Sequence, residues 1–448
     1  MKIMIVGSGG REHAIALKLS ESEQVKQILC IPGNGGTANL PKCRNIAMNV
    51  SDFAGIARFA GVQGINFVVV GPEDPLANGI ADYLQEQKIP VFGPTKAGAR
   101  IEASKIWAKA LMVKAGVPTA KGESFTKPTA AKEYIASQAA PLVVKADGLA
   151  AGKGVVVAQT QGEAIQAVDD LTAQGFTTLV VEEYLTGAEV SVFAVTDGQT
   201  FRTLITAQDH KRIGEGDTGE NTGGMGVYAP APLVTPELMG RIEREILAPT
   251  LNALQAKQID YRGVLYAGLM ITPSGDPKVL EFNCRFGDPE TQVILPLLAT
   301  PLEKILAACV EQKLEALPPI EWHPGCAVCV VAAAEGYPGK YRRGDEITGV
   351  DAAETMGVTV FHAGTQSRQQ QLLTSGGRVL GVTALGEDFK AAVDKAYGAI
   401  AQIQFEGMYY RRDIAHQVLP KPKPASAPTP ASEEVEATAI SSADLEQE

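Results

Sequence analysis

Short apolar runs, each closed by glycine or proline, punctuate the first hundred residues. "KIMIVG", "QILCIPG", "INFVVVGPE" and "IPVFGP" read as strands, and amphipathic helical segments lie between them. Strand and helix in alternation predict a parallel, doubly wound sheet. Ligands of such sheets bind beyond the carboxyl ends of the strands. The turns at Gly7–Gly10, Gly33–Gly36 and Gly71–Asp74 fall at that edge. One helix is predicted over "ARIEASKIWAKALMVKAG", stopped by Gly116 and Val117-Pro118. From about 120 to 190 the strands "PLVVKADG", "GVVVAQ" and "TTLVVEEYL" surround the helix "GEAIQAVDDLTAQ", a compact α+β unit. Further strands, "EVSVFAVTDG", "VLYAGLMIT" and "PKVLEFNCR", bracket the loop "GEGDTGENTGGMG" and the helix "PELMGRIEREILAPTLNAL". A strand-rich stretch closes the fold. Beyond Pro420 the chain is rich in Pro, Ala, Ser and Glu without an aromatic, a composition expected to stay disordered. The expected divisions are 1–103, 104–190, 191–323, 324–416 and a tail at 417–448.

With 40 basic and 51 acidic side chains among 448 residues, the net charge of −11 leaves no overall basic field for nucleic acid. No apolar stretch reaches the ~18–20 residues of a membrane helix. The start "MKIMIVGSGG" is a strand entering a turn, not a signal peptide. No nucleic-acid or membrane partner is expected, and the cytoplasm is the expected compartment. Cys326 and Cys329 form a C-x-x-C inside an apolar strand. Positions three apart on a strand face opposite ways, so buried structural thiols are expected there.

Several stretches carry chemistry. "GSGGREHA" suggests a dinucleotide turn, but Glu12 stands where the third glycine belongs, and the second strand ends without a ribose-binding acid. The turn can still set backbone N–H groups and a helix start around a phosphate. "KADGLAAGKGVVV" lacks P-loop spacing, and Lys153 is followed by Gly154, not by a hydroxyl residue. Strands flank it, where a P-loop would open a helix. In "KVLEFNCRFGDPETQ", Glu281, Asn283 and Arg285 share one strand face, while Phe282 and Cys284 face apolar packing. Two hard oxygen donors beside a guanidinium suit magnesium and a phosphoryl group. Asp288 is the expected cap of the next helix. Glu182 and Glu183 end a strand facing opposite ways, where backbone groups can meet an adenine edge and Glu189 a ribose. Residues 209–230 hold six glycines between Gly214 and Gly226. We read a mobile lid closing on an anionic substrate. His210, Lys211 and Arg212 give it a cationic flank, and Asp209, Asp217 and Asn221 offer substrate contacts. His210 is assigned no acid–base role. No G-x-S-x-G elbow and no H-E-x-x-H pair occur, which suits phosphoryl transfer by positioning and charge.

"GSGGREHA", "PGNGGTA", "GPEDPL", "VVKADGLAAGKGV", "DHKRIGEGDTGENTGGMG" and "EFNCRFGDPETQ", in that order, resemble the phosphoribosylamine–glycine ligases of the ATP-grasp superfamily, over residues 1 to about 415. The resemblance implies ATP held between two α+β subdomains. Lys105 and Lys145 resemble its phosphate ligands, and Gly148 to Gly154, with Gly152 and Lys153, the flap. Glu182, Glu183 and Leu185 resemble the adenine hinge, Glu189 the ribose ligand, and Glu281 and Asn283 the ligands of magnesium or manganese. Arg285 resembles the arginine that steadies an acyl phosphate, with Lys211 offsetting charge beside it. Gly9, Gly10, Asn34, Gly35, Glu73 and Asp74 resemble the phosphoribosylamine site. The implied reaction joins glycine to 5-phosphoribosylamine at the expense of ATP. Two departures stand out. "VLYAGLMIT" holds no acid as a third metal ligand, and Glu220 replaces the usual proline in the lid.

Overall fold

The computed structural model describes residues 1–149 and 154–420. Gly152 and Lys153 of the flap, and the tail from residue 421, lie outside the described residues.

The first sheet has five parallel strands. Lys2–Gly7 is central, between Gln27–Pro32 and Phe67–Val70, and Cys43–Asn45 and Val91–Phe92 form the edges. Ile3, Met4, Ile5 and Val6 are fully buried on both faces, which is why that strand reads as an unbroken apolar run. Cys43–Asn45 escaped the sequence reading because it is short and half-exposed. The three glycine turns leave from the carboxyl edge. Gly7 (φ +131°) and Gly33 (φ +73°) adopt backbone conformations that side chains resist, so glycine is required at both.

The single helix expected after this sheet is two helices, Lys96–Ala103 and Lys105–Ala115. Ser104 between them is extended and caps Trp107 N–H at 3.2 Å. Asp147 accepts from Ser104 Oγ (3.1 Å) and from Ile106 N–H (3.2 Å). A carboxylate from a different sheet therefore breaks the helix and places Lys105 at a helix start.

Two four-stranded sheets follow. The smaller runs Gly122–Phe125, Leu179–Glu183, Leu142–Ala146, Val155–Ala158 in spatial order, all antiparallel. Residues 147–154 connect its last two strands. The larger runs Phe201–Thr203, Ala188–Thr196, Gly263–Ile271, Pro277–Asn283. Its last strand carries a bulge at Leu280, because Gly268 pairs with Glu281 but Leu269 with Val279. The bulge frees the Leu280 carbonyl for Lys145.

A second five-stranded sheet crosses the expected boundary at 323/324. Gln208–Asp209 and Gly226–Ala229 pair with each other, and the latter pairs with Cys326–Ala333. Arg378–Gly386 and Thr359–His362 complete the sheet. The glycine-rich segment leaves and rejoins it, so its two short flanking strands are captured by the closing sheet. Cys326 and Cys329 are both buried here, and burial pushes the Cys329 thiol up to about 12. Among the described residues, no helix is long and apolar enough to cross a membrane.

Candidate active site

The last strand of the larger sheet meets the glycine-rich segment in a charged cleft. Lys211 Nζ stands 2.9 Å from Glu189 and 3.7 Å from Glu281, bridging two acids. Burial opposes the charge of Glu281, but Lys211, Lys145 and Lys105 outweigh it and hold the carboxyl below its ordinary range. Asn283 is buried and, among the described residues, its amide makes no hydrogen bond to another protein group. Phe282 and Cys284 point into the apolar core, as the alternation requires. Among the described residues no cluster of three His, Cys, Asp or Glu could hold a metal. The donor set is one ionised carboxylate and one amide. That fits magnesium, which leaves its remaining positions to water and phosphate.

Lys145 of the smaller sheet, with Lys105 and Lys109 of the helix Lys105–Ala115, contributes the other cations. Glu182 lies diagonally across from Lys145, since its direct partner is Val143. The two meet at 2.6 Å, and Lys109 reaches the other oxygen of Glu182 at 2.7 Å. Burial would raise the Glu182 carboxyl, but the two lysines outweigh it and lower it. Lys145 also donates to Leu280 O at 3.0 Å, tying the sheets across the cleft. Lys105 donates to Gly148 O at 3.0 Å, at the root of the flap. Glu183 faces the other way, accepting from Lys121 N–H at 2.9 Å and pairing with Lys278 at 3.4 Å. Leu185 packs with Ala120 and Met270, with Leu280 alongside, as a small apolar shelf. Lys109 escaped the sequence reading; its place one helical turn after Lys105 was the available signal.

Arg285 lies beyond the strand end and leaves the stripe expected of it. Its Nε donates to Glu73 at 3.1 Å and its Nη2 pairs with Glu102 at 3.0 Å. Burial opposes the charge of Glu73, but Arg285 and Arg11 pull its carboxyl down to about 2. Glu102 also accepts from Cys284 N–H at 2.8 Å and was not anticipated. Asp74 is exposed; burial and the charge of Glu73 raise its carboxyl. Asp209 lies deeper, and its Oδ1 is buried without a hydrogen-bond partner among the described residues. Burial first, and then Glu290, push that carboxyl well up. Glu290, also unanticipated, accepts from Tyr266 OH at 2.6 Å and Ser191 Oγ at 3.0 Å.

The turns of the first sheet open on a cavity of about 470 Å³. Ser8, Gly9 and Gly33 line one side; Thr365, Ser375 and Arg378 line the other. Glu12 is buried, and its Oε2 accepts from Gly9 N–H at 2.5 Å. A carboxylate thus occupies the approach to the turn, which disposes of the dinucleotide reading. Gly10 begins the helix Gly10–Ser20, and Gly35 N–H donates to Thr365 O at 3.3 Å. Asn34 requires correction as a ligand. Its Nδ2 donates to Ser8 O (2.9 Å) and His362 O (2.7 Å), and its Oδ1 accepts from Gly36 and Thr37 N–H. The amide is consumed in holding the turn. His13 Nδ1 accepts from His362 N–H at 2.8 Å, joining the first helix to the closing sheet. Burial, then His362, lower the His13 imidazole to about 3, so it stays neutral.

The expected lid is a β-hairpin, Arg212–Gly214 against Thr218–Asn221. Asp217 at its tip pairs with Arg411 at 2.9 Å and so ties the hairpin to the chain's last described segment. Asn221 pairs with Arg212 at the hairpin base. His210 is buried, and burial and then Arg411 lower its imidazole to about 4. Asp288 does not cap the following helix, whose N-cap is Glu290. It accepts instead from Gln292 Nε2 at 2.8 Å and pairs with Arg378 at 3.3 Å, because these groups surround it in the interior.

Known proteins resemble the chain over most of its length. Residues 1–102 match the family described as phosphoribosylglycinamide synthetase, N domain; residues 103–291 match its ATP-grasp (A) domain and residues 327–417 its C domain. The chain is 62% identical over 423 residues to a phosphoribosylamine–glycine ligase of Nostoc sp., covering 93% of this chain and 100% of that one. It is 60% identical over 419 residues to the ligase of that name from Synechocystis sp., covering 94% and 100%. A crystal structure of phosphoribosylamine–glycine ligase from Thermotoga maritima superposes with a TM-score of 0.80 at 35% identity, covering 93% and 100%. The multidomain α/β architecture with an ATP-grasp core is therefore that of these enzymes, and the chain belongs to the phosphoribosylglycinamide synthetase family.

Proposed function

We propose that the protein ligates glycine to 5-phosphoribosylamine through glycyl phosphate, giving glycinamide ribonucleotide, ADP and phosphate, a step of purine biosynthesis. The observation that carries this reading is the ionised Glu281, set beside Asn283 and ringed by Lys211, Lys145 and Lys105. In this reading the Leu185 shelf takes the adenine, the strand end at Glu182 and Glu183 meets its edge, and Glu189 takes the ribose. Lys105 and Lys145 face the phosphates. Magnesium on Glu281 and Asn283 would supply charge that offsets the transferring phosphoryl group.

A carboxylate is a poor electrophile. An oxygen of glycine's carboxylate attacks the γ-phosphorus, the bond to the β-phosphate oxygen breaks, and ADP leaves. The resulting mixed anhydride has a good leaving group. The amine of phosphoribosylamine attacks its carbonyl carbon, phosphate departs with the former glycine oxygen, and the amine's proton passes to solvent. Lys211 and Arg285 steady the negative charge at these stages, as fixed cations in a partly dry cleft do. The phosphate of phosphoribosylamine suits the 470 Å³ cavity, with Arg378, Thr365 and Ser375 on one side and Ser8 and Gly33 on the other. Glu73, held ionised, keeps Arg285 in place.

The test is ADP release with one substrate omitted at a time. The expected result is ADP formation only with both glycine and phosphoribosylamine present. ADP release that ignores either one would sink the reading.

A further inference from the structure

Arg411 is completely buried, and it lies outside the cleft. Its Nε and Nη2 donate to the two oxygens of Asp413 at 2.8 and 2.7 Å, a forked pair. Its Nη1 donates to Arg212 O at 3.0 Å and to Asp217 Oδ1 at 2.9 Å. Neighbouring residues of the same segment reach the same hairpin. Asp413 accepts from Gly216 N–H at 2.8 Å, and Tyr409 OH donates to Ile213 O at 2.9 Å. Ala415 N–H donates to His210 Nε2 at 3.1 Å.

The segment 409–417 is thus a strap that grips the chain on both sides of Lys211. His210 is held by Ala415 and Arg212 by Arg411. Lys211 points the other way, to Glu189 and Glu281, as alternation along an extended chain requires. Its own carbonyl accepts from Thr222 N–H at 2.7 Å, which closes the hairpin base. A lysine side chain has a flexible four-carbon stem, so its reach is only as definite as the backbone that carries it. Burying a guanidinium is costly, and apolar packing would stabilise the same spot at least as well. What the fork adds is a fixed register between strap and hairpin.

We propose that Arg411 is a positioning residue for Lys211, acting through the hairpin it locks. This rests on the reading that Lys211 faces the transferring phosphoryl group. The test is a double-mutant cycle in the full-length enzyme with Arg411→Lys, which keeps the charge and loses the fork, and Lys211→Met. Steady-state kinetics are paired with calorimetric binding of magnesium–ADP. A displacement of about 1 Å at a reacting group is worth roughly 10²-fold, so Arg411→Lys should lower kcat on that order. Magnesium–ADP affinity should stay within about twofold, and in the Lys211→Met background the same change should add less than about twofold. If Arg411→Lys does not fold, Asp217→Asn replaces it and should show the same pattern at smaller amplitude. Equal losses in both backgrounds, an unchanged kcat, or a parallel loss of magnesium–ADP binding would each overturn the inference. Failure of the ligase reading is separate, since it shows in the unmodified enzyme as ADP release without glycine.

Discussion

Glu281→Gln is expected to lower turnover about 10³-fold while the protein stays folded. The carboxylate is the only acid of the pair that suits a hard cation, and Asn283 alone is a weak site. A metal's stabilisation of developing charge is worth several kcal/mol, and about 4 kcal/mol corresponds to roughly 10³ in rate. The substitution keeps the shape of the side chain and removes its charge. Lys211 keeps Glu189 as a partner at 2.9 Å, so the cleft does not lose its balance altogether. Thermal melting should therefore move little. Activity within tenfold of the unmodified enzyme at saturating magnesium would refute the metal assignment.

The second large effect concerns stability. Glu182→Ala is expected to destabilise the smaller sheet by about 3–5 kcal/mol, the usual cost of breaking a buried ion pair by removing one partner. Glu182, Lys109 and Lys145 are all buried, and the acid serves both lysines. Its removal leaves Lys145 with Leu280 O, and Lys109 with Thr119 Oγ1 and Ala120 O, as acceptors without charge. The folded-state carboxyl of Glu182 is lowered, so its contribution is full at neutral pH and is lost as acid titrates it. Urea unfolding at pH 7.5 should show the loss, and it should shrink only as the pH falls below the ordinary glutamate range and through the lowered folded value. A difference below about 1 kcal/mol at pH 7.5 would contradict the triad's role.

Much of this was legible in the chain itself. Apolar runs bounded by glycine or proline placed most strands of the first three sheets, because burial and turn chemistry are local properties. The stripe at Glu281 and Asn283 was legible because a strand's alternation is local too. What escaped depends on distant partners. Ser104 breaks a helix that propensity alone would continue, and it does so with Asp147, 43 residues away. Asn34 looked like a ligand, yet its amide is spent on its own turn and on His362, 328 residues on. Whether a polar side chain meets substrate or its own backbone is decided by such pairings. The same holds for Asp217, whose partner Arg411 lies 194 residues on. Glu102, Glu290 and Arg378 gave no local sign of the groups they would meet.

The proposed reaction turns on activation of glycine's carboxylate by phosphoryl transfer. Glycine labelled with 18O in both carboxylate oxygens tests it directly. One 18O atom is expected in each inorganic phosphate released, with the other retained in the product amide. Phosphate released without label during productive turnover would contradict it.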